Sequence, residues 1–398
     1  VAAQVLRNTY LQTQAITMMK AFSIERLGSM GHFISVLESD GQLDRGLEFL
    51  PGEEELAERR ERGEGLTRPE LSVLLSYSKI RLYQQLLDSD VPEDGWLSGE
   101  AVNYFPSQIR ERYAGYVSSH RLKRDIIATQ VTNSLVNRMG ASFVLRARED
   151  TGASPGEVAR AYTIVREVFE ARDFWQKLEK LDNRIDSDLQ VAAQLKMWEL
   201  LRQATRWLLN LPNRDLDIGR MVKRLADGVA EMEATIRQNL TADERAALGL
   251  ATQQFKQGGF SARLAQRAAM LDYLFPALDV VETAARRRTR VDRVAGISFA
   301  LGEMFKFNWL RREIESLVVA GQWHAISRAN LRDELFTHHN RMVESVLLQH
   351  GLKKDPVAAW RQALSAGVLE VSTMLAQMRS HGEMDYATIA VALRALGQ

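Results

Sequence analysis

LTRPELSVLLSYSKIRLYQQLL, residues 66–87, repeats its apolar side chains at the three- and four-residue spacing of an α-helix. Drawn as a helix, the segment shows two apolar stripes on opposite sides. The first comprises Leu71, Leu74, Leu75, Ser78, Leu82 and Leu86, and the second comprises Val73, Tyr77, Ile80 and Leu87. A helix on the surface of a globular protein carries one such stripe, so the segment predicts a helix packed between two layers.

The start of this helix is also marked in the sequence. Thr67 and Glu70 have the spacing of a capping box, and Pro69 suits a first helical turn. A helix of about 20 residues spans roughly 30 Å. If both stripes are covered, we expect the helix to be a central element of the core. If Val73, Tyr77 and Ile80 are left bare, we expect them to mark a docking face.

Helical periodicity recurs along the rest of the chain. It is visible over residues 126–143, 158–178, 189–210, 317–331 and 357–378. Several of the eight prolines lie at predicted helix margins, and β-branched runs joined by hairpin turns are missing. The sequence therefore predicts an all-α fold, a bundle-like assembly of many helices without a Rossmann sheet.

Composition excludes several classes of function. The 398 residues carry 52 Lys and Arg against 51 Asp and Glu, so no global charge attracts nucleic acid or a membrane surface. The chain has no cysteine, which excludes disulfides and thiolate chemistry and suits the cytoplasm. No apolar run approaches the roughly 20 residues of a membrane span. Because the sequence begins at Val1 inside a predicted helix, we expect a segment of a longer polypeptide.

The common catalytic and nucleotide-binding motifs are missing. Neither G-x-G-x-x-G, nor the Walker phosphate loop, nor G-x-S-x-G, nor H-E-x-x-H occurs in the sequence. Glycines at 28–31 and 257–259 do not follow a predicted strand, as a dinucleotide site requires. The residues therefore predict no catalytic, cofactor-binding or metal-binding site in this chain.

Two clusters nevertheless call for alternatives. Glu334 and His338 are four residues apart, with Glu344 further along the same predicted helix, so either a metal site or an ordinary surface pair is conceivable. The run at 284–293 is the most basic of the chain. Its arginines could clamp an anionic partner, or they could form a solvated helix end paired to Glu282 or Asp292. The four arginines of this cluster are Arg286, Arg287, Arg288 and Arg290.

Domain boundaries are open from composition alone. Segments 43–70 and 89–106 concentrate Gly, Pro and charged residues between periodic regions. They indicate either long loops inside one helical domain or a true boundary.

Several stretches, taken in order, resemble the C-terminal region of the large bacterial NAD-dependent glutamate dehydrogenases. They are LRNTYLQTQAI (6–16), LDRGLEFLPGEEELAERR (43–60), GLTRPELSVLLSYSKIRLY (65–83), VTNSLVNRMGASFV (131–144), FWQKLEKLDNRI (174–185), FNWLRREI (307–314) and DYATIAVALRAL (385–396). The segment that includes the predicted capping box is the most specific of these stretches.

The resemblance implies a division of the chain and a role for it. Residues 1–95 would connect to an upstream dehydrogenase core, and residues 96–398 would form the C-terminal helical domain. The parent enzyme would oxidise L-glutamate to 2-oxoglutarate and ammonium with NAD, as a cytoplasmic homo-oligomer. The family's catalytic and dinucleotide-binding motifs lie upstream, so this chain is expected to be a non-catalytic structural or regulatory module. The alternative is an independent helical module that binds an anionic partner through the arginines of 286–290.

Overall fold

The structure, a computed structural model, describes residues 2–117, 119–319, 321–363, 365–382 and 384–397. Throughout these ranges the regular secondary structure is helical, and no strand occurs among them. The predicted all-α fold is therefore confirmed. No helix in the described ranges is both long and apolar enough to cross a membrane.

The chain divides into two compact units. Unit 1 comprises Val1–Lys223 and Gly258–Phe260, and unit 2 comprises Arg224–Gln257 and Ser261–Gln398. This division does not test the connector role expected for residues 1–95, which stays a prediction.

Unit 1 holds the first eleven α-helices and a short 3-10 helix at Val91–Glu93. The α-helices are α1 (Ala2–Ala21), α2 (Leu27–Ser39), α3 (Glu53–Glu61), α4 (Arg68–Leu87), α5 (Ser98–Tyr104), α6 (Ser107–Val117), α7 (Lys123–Met139), α8 (Phe143–Thr151), α9 (Pro155–Val168), α10 (Ala171–Glu179) and α11 (Ser187–Leu209).

The remaining helices lie at the boundary or in unit 2. The boundary falls within α12 (Ile218–Asn239). Unit 2 also has a 3-10 helix at Leu271–Tyr273. Its α-helices are α13 (Ala242–Gln257), α14 (Ala262–Met270), α15 (Ala277–Arg287), α16 (Val291–Met304), α17 (Phe307–Ser316), α18 (Gln322–His350), α19 (Pro356–Ala363), α20 (Ser365–His381) and α21 (Tyr386–Leu396).

Helix α4 occupies the centre of unit 1. It packs chiefly against α7, and also against α1 and α9. Every member of its first apolar stripe is buried. The single polar member, Ser78, donates a hydrogen bond to the carbonyl oxygen of Ala141 at 2.9 Å, so its hydroxyl is satisfied inside the core. The first stripe therefore forms the inner face of α4.

The predicted capping box begins α4 as expected. Thr67 is the N-cap, its hydroxyl accepts from the Glu70 amide, and Pro69 lies in the first turn. The Glu70 carboxylate in turn accepts from the Thr67 amide at 2.6 Å. Both ends of the box are satisfied, which removes two of the unpaired N–H groups at the start of the helix.

Glu70 has a second partner that the capping pattern does not contain. Arg59, near the end of α3, donates through both terminal nitrogens to the two carboxylate oxygens of Glu70, each at 2.8 Å. Burial alone would raise the pKa of the Glu70 carboxyl, but Arg59 and Thr67 outweigh burial and lower this pKa. The carboxylate thus stays charged and joins the end of α3 to the start of α4.

The approach to α4 is fixed by close contacts with α1 and with the turn that follows α1. A Cβ atom at Gly65 would lie 2.7 Å from the backbone carbonyl carbon of Ser23, so only glycine fits there. One residue later, the Lys20 ammonium donates to the carbonyl oxygen of Leu66 at 3.0 Å. Arg68 reaches the same helix and donates to the Thr17 hydroxyl at 2.9 Å. Together these contacts set where α4 enters the core.

In unit 2, the long helix α18 is one of the central elements. It packs against α16, α17, α19 and α21. Its His339 is half-buried, and its Nε2 lies 2.9 Å from the carbonyl oxygen of Ser298. Because a carbonyl oxygen can only accept, Nε2 carries the proton. The ring also packs against Phe307, with the ring centres 4.5 Å apart.

Arg59→Ala should destabilise unit 1 by about 3 kcal/mol, because it leaves the Glu70 carboxylate buried without its main partner. Arg62→Ala is the matched control, since Arg62 also ends α3 but pairs with Glu58 and Glu64 on the exposed surface. We expect the Arg62→Ala variant to unfold at the same urea concentration as the parent protein, because an exposed ion pair contributes little to stability. Urea denaturation followed by circular dichroism measures both. Equal midpoints for the two variants would contradict the role assigned to Arg59.

His339 should make unit 2 less stable in mild acid. Burial lowers the pKa of its imidazole to about 4, from an ordinary value of 6.5. Between pH 6.5 and pH 4 the His339 imidazole is protonated in the unfolded chain but stays neutral in the folded chain. The free energy of unfolding therefore falls as the pH drops from 6.5 towards 4. The expected loss from this group is about 2 kcal/mol between pH 7 and pH 5.

The variant His339→Leu removes the titrating group and should lose less stability over that pH interval than the parent. Denaturant titrations at pH 7 and pH 5 give the comparison. Identical pH dependence in parent and variant would show that His339 titrates normally.

Candidate functional site

The outer face of α4 is only partly covered. Val73, Tyr77 and Leu87 of the second stripe are half-buried. Ile80 is 64% exposed. Neither outcome expected from the sequence is met in full: the inner stripe is buried, whereas the outer stripe is half-covered and only Ile80 is bare.

A turn between α2 and α3 lies beside this outer face. The Tyr77 hydroxyl donates to the Glu48 carboxylate at 2.6 Å, which fixes the tip of the turn against α4. On either side of Glu48 stand Leu47, 74% exposed, and Phe49, 88% exposed. Sequence reasoning missed these two residues because they lie outside any periodic stripe. The available signal was two large apolar residues inside a strongly acidic segment.

The turn is held rigidly although its conformation is strained. Phe49 has φ +51°, a left-handed backbone conformation that bulky side chains rarely adopt. The Leu47 amide donates to the Asp44 carboxylate at 3.0 Å, and the Leu50 amide donates to the Arg45 carbonyl at 3.0 Å. The contacts around the turn thus compensate the strain at Phe49.

Arg45 is the main anchor of the turn. Its guanidinium donates to the Pro51 carbonyl at 3.0 Å, to the Ser35 hydroxyl at 3.1 Å and to the Glu38 carboxylate at 3.1 Å. It also donates to Glu53 at 3.3 Å. One side chain therefore connects α2, the turn and the start of α3, which holds Leu47 and Phe49 in a defined place.

Three of the four arginines of the 286–290 cluster pair with carboxylates of their own unit. Arg286 forms an ion pair with Glu344, and Arg287 lies 3.4 Å from the same carboxylate. Arg290 pairs with Asp292, as the solvated helix-end interpretation predicted. Glu282, the other partner considered, pairs with Arg224 instead. This arrangement gives no support to an anion-binding module.

The same pairing engages Glu344, the third residue of the metal-site interpretation. Because Glu344 is held by Arg286 and Arg287, it is not available beside His338. His338 lies 3.4 Å from Glu334, the ordinary pair one turn away on a helix. Among the residues that the structure describes, no group of three His, Asp or Glu side chains is placed to hold a metal ion.

Unit 2 has a small polar cavity, but its groups bond to one another. The Thr283 hydroxyl donates to the Asn340 carbonyl oxygen at 3.1 Å, and the Asn340 amide donates to Asp279 at 3.4 Å. His339 and Ser298 complete the polar lining. The space holds about one water molecule, far below the roughly 300 Å³ of a substrate pocket. The cluster is therefore part of the packing of unit 2.

Comparison with known proteins identifies the chain. The family described as "Glutamate dehydrogenase, C-terminal" matches residues 63–398. The chain belongs to this family. The glutamate dehydrogenase C-terminal match begins between α3 and α4, so the α4 capping box lies inside the matched region.

Three relatives carry the name "NAD-specific glutamate dehydrogenase". That of Pseudomonas aeruginosa is 37% identical over 399 residues, covering 100% of this chain and 25% of the relative. That of Halomonas elongata is 34% identical over 403 residues, with the same coverage. That of Mycobacterium tuberculosis is 28% identical over 364 residues, covering 91% of this chain and 22% of the relative. The chain thus spans about a quarter of the length of these dehydrogenases.

Releasing Arg286 and Arg287 from Glu344 should raise the affinity of this cluster for anions. Glu344→Gln leaves Arg286 and Arg287 without their carboxylate, so the variant should elute from heparin at higher salt than the parent. Glu370→Gln changes the net charge equally, at an exposed position of α20, and should not shift elution as far. Equal elution of the two variants would contradict the neutralisation of the cluster by Glu344.

Proposed function

We propose that this chain is the non-catalytic, helical C-terminal domain of an NAD-dependent glutamate dehydrogenase. The parent polypeptide would oxidatively deaminate L-glutamate to 2-oxoglutarate and ammonium, passing a hydride to NAD, in the cytoplasm. The observation that carries the proposal is the match of the whole chain to a quarter of two NAD-specific glutamate dehydrogenases. The family's own description supplies the position, at the C-terminal end.

The assignment of chemistry to the rest of the polypeptide has a physical basis. Binding of a dinucleotide by a Rossmann unit needs a glycine-rich turn between a strand and a helix, where backbone N–H groups meet the pyrophosphate. The sequence has no such glycine pattern, and the described residues form helices only. The two clusters considered from the sequence pair mainly within the described part of the chain. Hydride transfer would therefore occur upstream.

The domain's contribution would be to brace the catalytic part and to support assembly, with the parent enzyme acting as a homo-oligomer. Two features suit such a role. Unit 1 is built around a helix with both ends of its capping box satisfied and a buried ion pair at its start. It also holds exposed apolar side chains in a fixed turn, which folding of the unit alone does not require.

Removing these 398 residues from the parent polypeptide should lower its melting temperature or dissociate its oligomer, while the remaining active molecules keep their kcat. The 398-residue chain alone should produce no NADH from glutamate and NAD. Light scattering, thermal melting and absorbance at 340 nm measure the three properties. NADH production by this chain alone would overturn the proposal, as would a truncated enzyme unchanged in mass, melting and kinetics.

A further inference from the structure

We propose that the surface formed by Leu47, Phe49, Tyr77 and Ile80, here called the outer surface, docks on the catalytic part of the same polypeptide. This inference rests on the function proposed above and names the partner's chemistry. The docking site on the catalytic part would be an apolar pocket ringed by lysine or arginine side chains.

The first argument is that the outer surface is both apolar and preorganised. Leu47, Phe49 and Ile80 are 74%, 88% and 64% exposed. Such side chains gain most when a partner covers them, and a buried aromatic ring contributes more than most other residues of an interface. The Arg45 and Tyr77 hydrogen bonds already fix the turn, so little conformational entropy is lost on docking.

The second argument comes from the backbone of Phe49. At φ +51° asparagine or glycine would be less strained than phenylalanine. Phe49 gives unit 1 no compensating burial, because its side chain is almost fully exposed. A bulky ring held in a strained conformation at the tip of a rigid turn points to a role outside the unit.

The third argument is the sign of the charge around the outer surface. In the Arg45–Glu53 pair the arginine side chain is 14% exposed and the glutamate 71%. In the Arg81–Asp40 pair the values are 15% and 43%. In both pairs the cation is covered and the carboxylate faces solvent. Residues 38–55 contain seven carboxylates and one cation, so the rim is acidic. A complementary partner is therefore basic around its apolar centre.

The acidic rim also argues against a second copy of this chain as the occupant. A two-fold interface brings the same surface of both copies together, so acid would face acid. The occupant is better sought in the rest of the polypeptide, since about three quarters of each matched relative lies outside the region aligned with this chain. A tethered partner has an effective concentration of about a millimolar, so a modest apolar contact suffices.

Hydrogen exchange compares the 398-residue chain with the longer polypeptide directly. We expect the backbone amides of residues 46–50 to exchange at least about tenfold more slowly in the longer polypeptide, because docking covers the turn. Amides of the exposed residues around Leu352 in unit 2 provide the internal reference.

The variant Phe49→Asn separates docking from folding, because it should weaken docking without lowering the stability of the folded chain. The variant relieves the left-handed strain, so the 398-residue chain should melt at the same or a higher temperature than the parent. In the longer polypeptide the same variant should abolish the added protection of residues 46–50. Leu352→Asn also removes a fully exposed apolar side chain and should leave that protection unchanged.

Each of the following results either supports or overturns the docking proposal. Slower exchange that Phe49→Asn reverses supports docking through the outer surface. If the longer polypeptide oxidises glutamate with NAD but residues 46–50 exchange as in the shorter chain, the docking proposal is wrong and the proposed function stands. If the longer polypeptide does not oxidise glutamate, the proposed function fails, and this inference fails with it. If the 398-residue chain alone dimerises and Phe49→Asn makes it monomeric, the occupant is a second copy and the proposal is overturned.

Discussion

The Glu70 carboxylate is the group on which the architecture of unit 1 depends. It accepts hydrogen bonds from the Thr67 amide and from both terminal nitrogens of Arg59, and it is almost completely buried. A lone buried carboxylate would be strongly destabilising, whereas one with three donors holds its neighbours in a single geometry. It fixes where α4 begins and how α3 leads into it.

The position of α4 then determines the two surfaces of the unit. Its inner stripe is covered by α7, α1 and α9. Its outer stripe receives the turn between α2 and α3, through the hydrogen bond from Tyr77 to Glu48. Because the turn is bonded to α4 and anchored by Arg45, its exposed apolar tip is held in a defined place. The same ion pairs that stiffen the turn leave carboxylates exposed on its rim. The outer surface is therefore apolar at its centre and negatively charged around it.

The sequence predicts those features whose causes are local. The capping box of Thr67 and Glu70 spans three residues, and the inner stripe of α4 follows helical spacing, so both could be read directly. The pairing of Arg286 with Glu344 crosses 58 residues, and Arg59 reaches Glu70 across a loop. Neither ion pair can be predicted from the spacing of residues in the sequence, because each depends on how the helices pack. The turn at Phe49 was missed for the same reason: its exposure and left-handed backbone arise from tertiary contacts around Arg45.

The family match and the all-helical fold support the proposed division of roles, in which the chemistry occurs upstream and this chain braces the catalytic part. An experimental structure of the longer polypeptide with NAD and glutamate bound tests that division most directly. We expect both ligands to contact only residues that precede this chain, and the Phe49 ring to lie in an apolar pocket of the catalytic part with basic residues around it. NAD or glutamate bound by side chains of residues 1–398, or Phe49 facing open solvent, would contradict it.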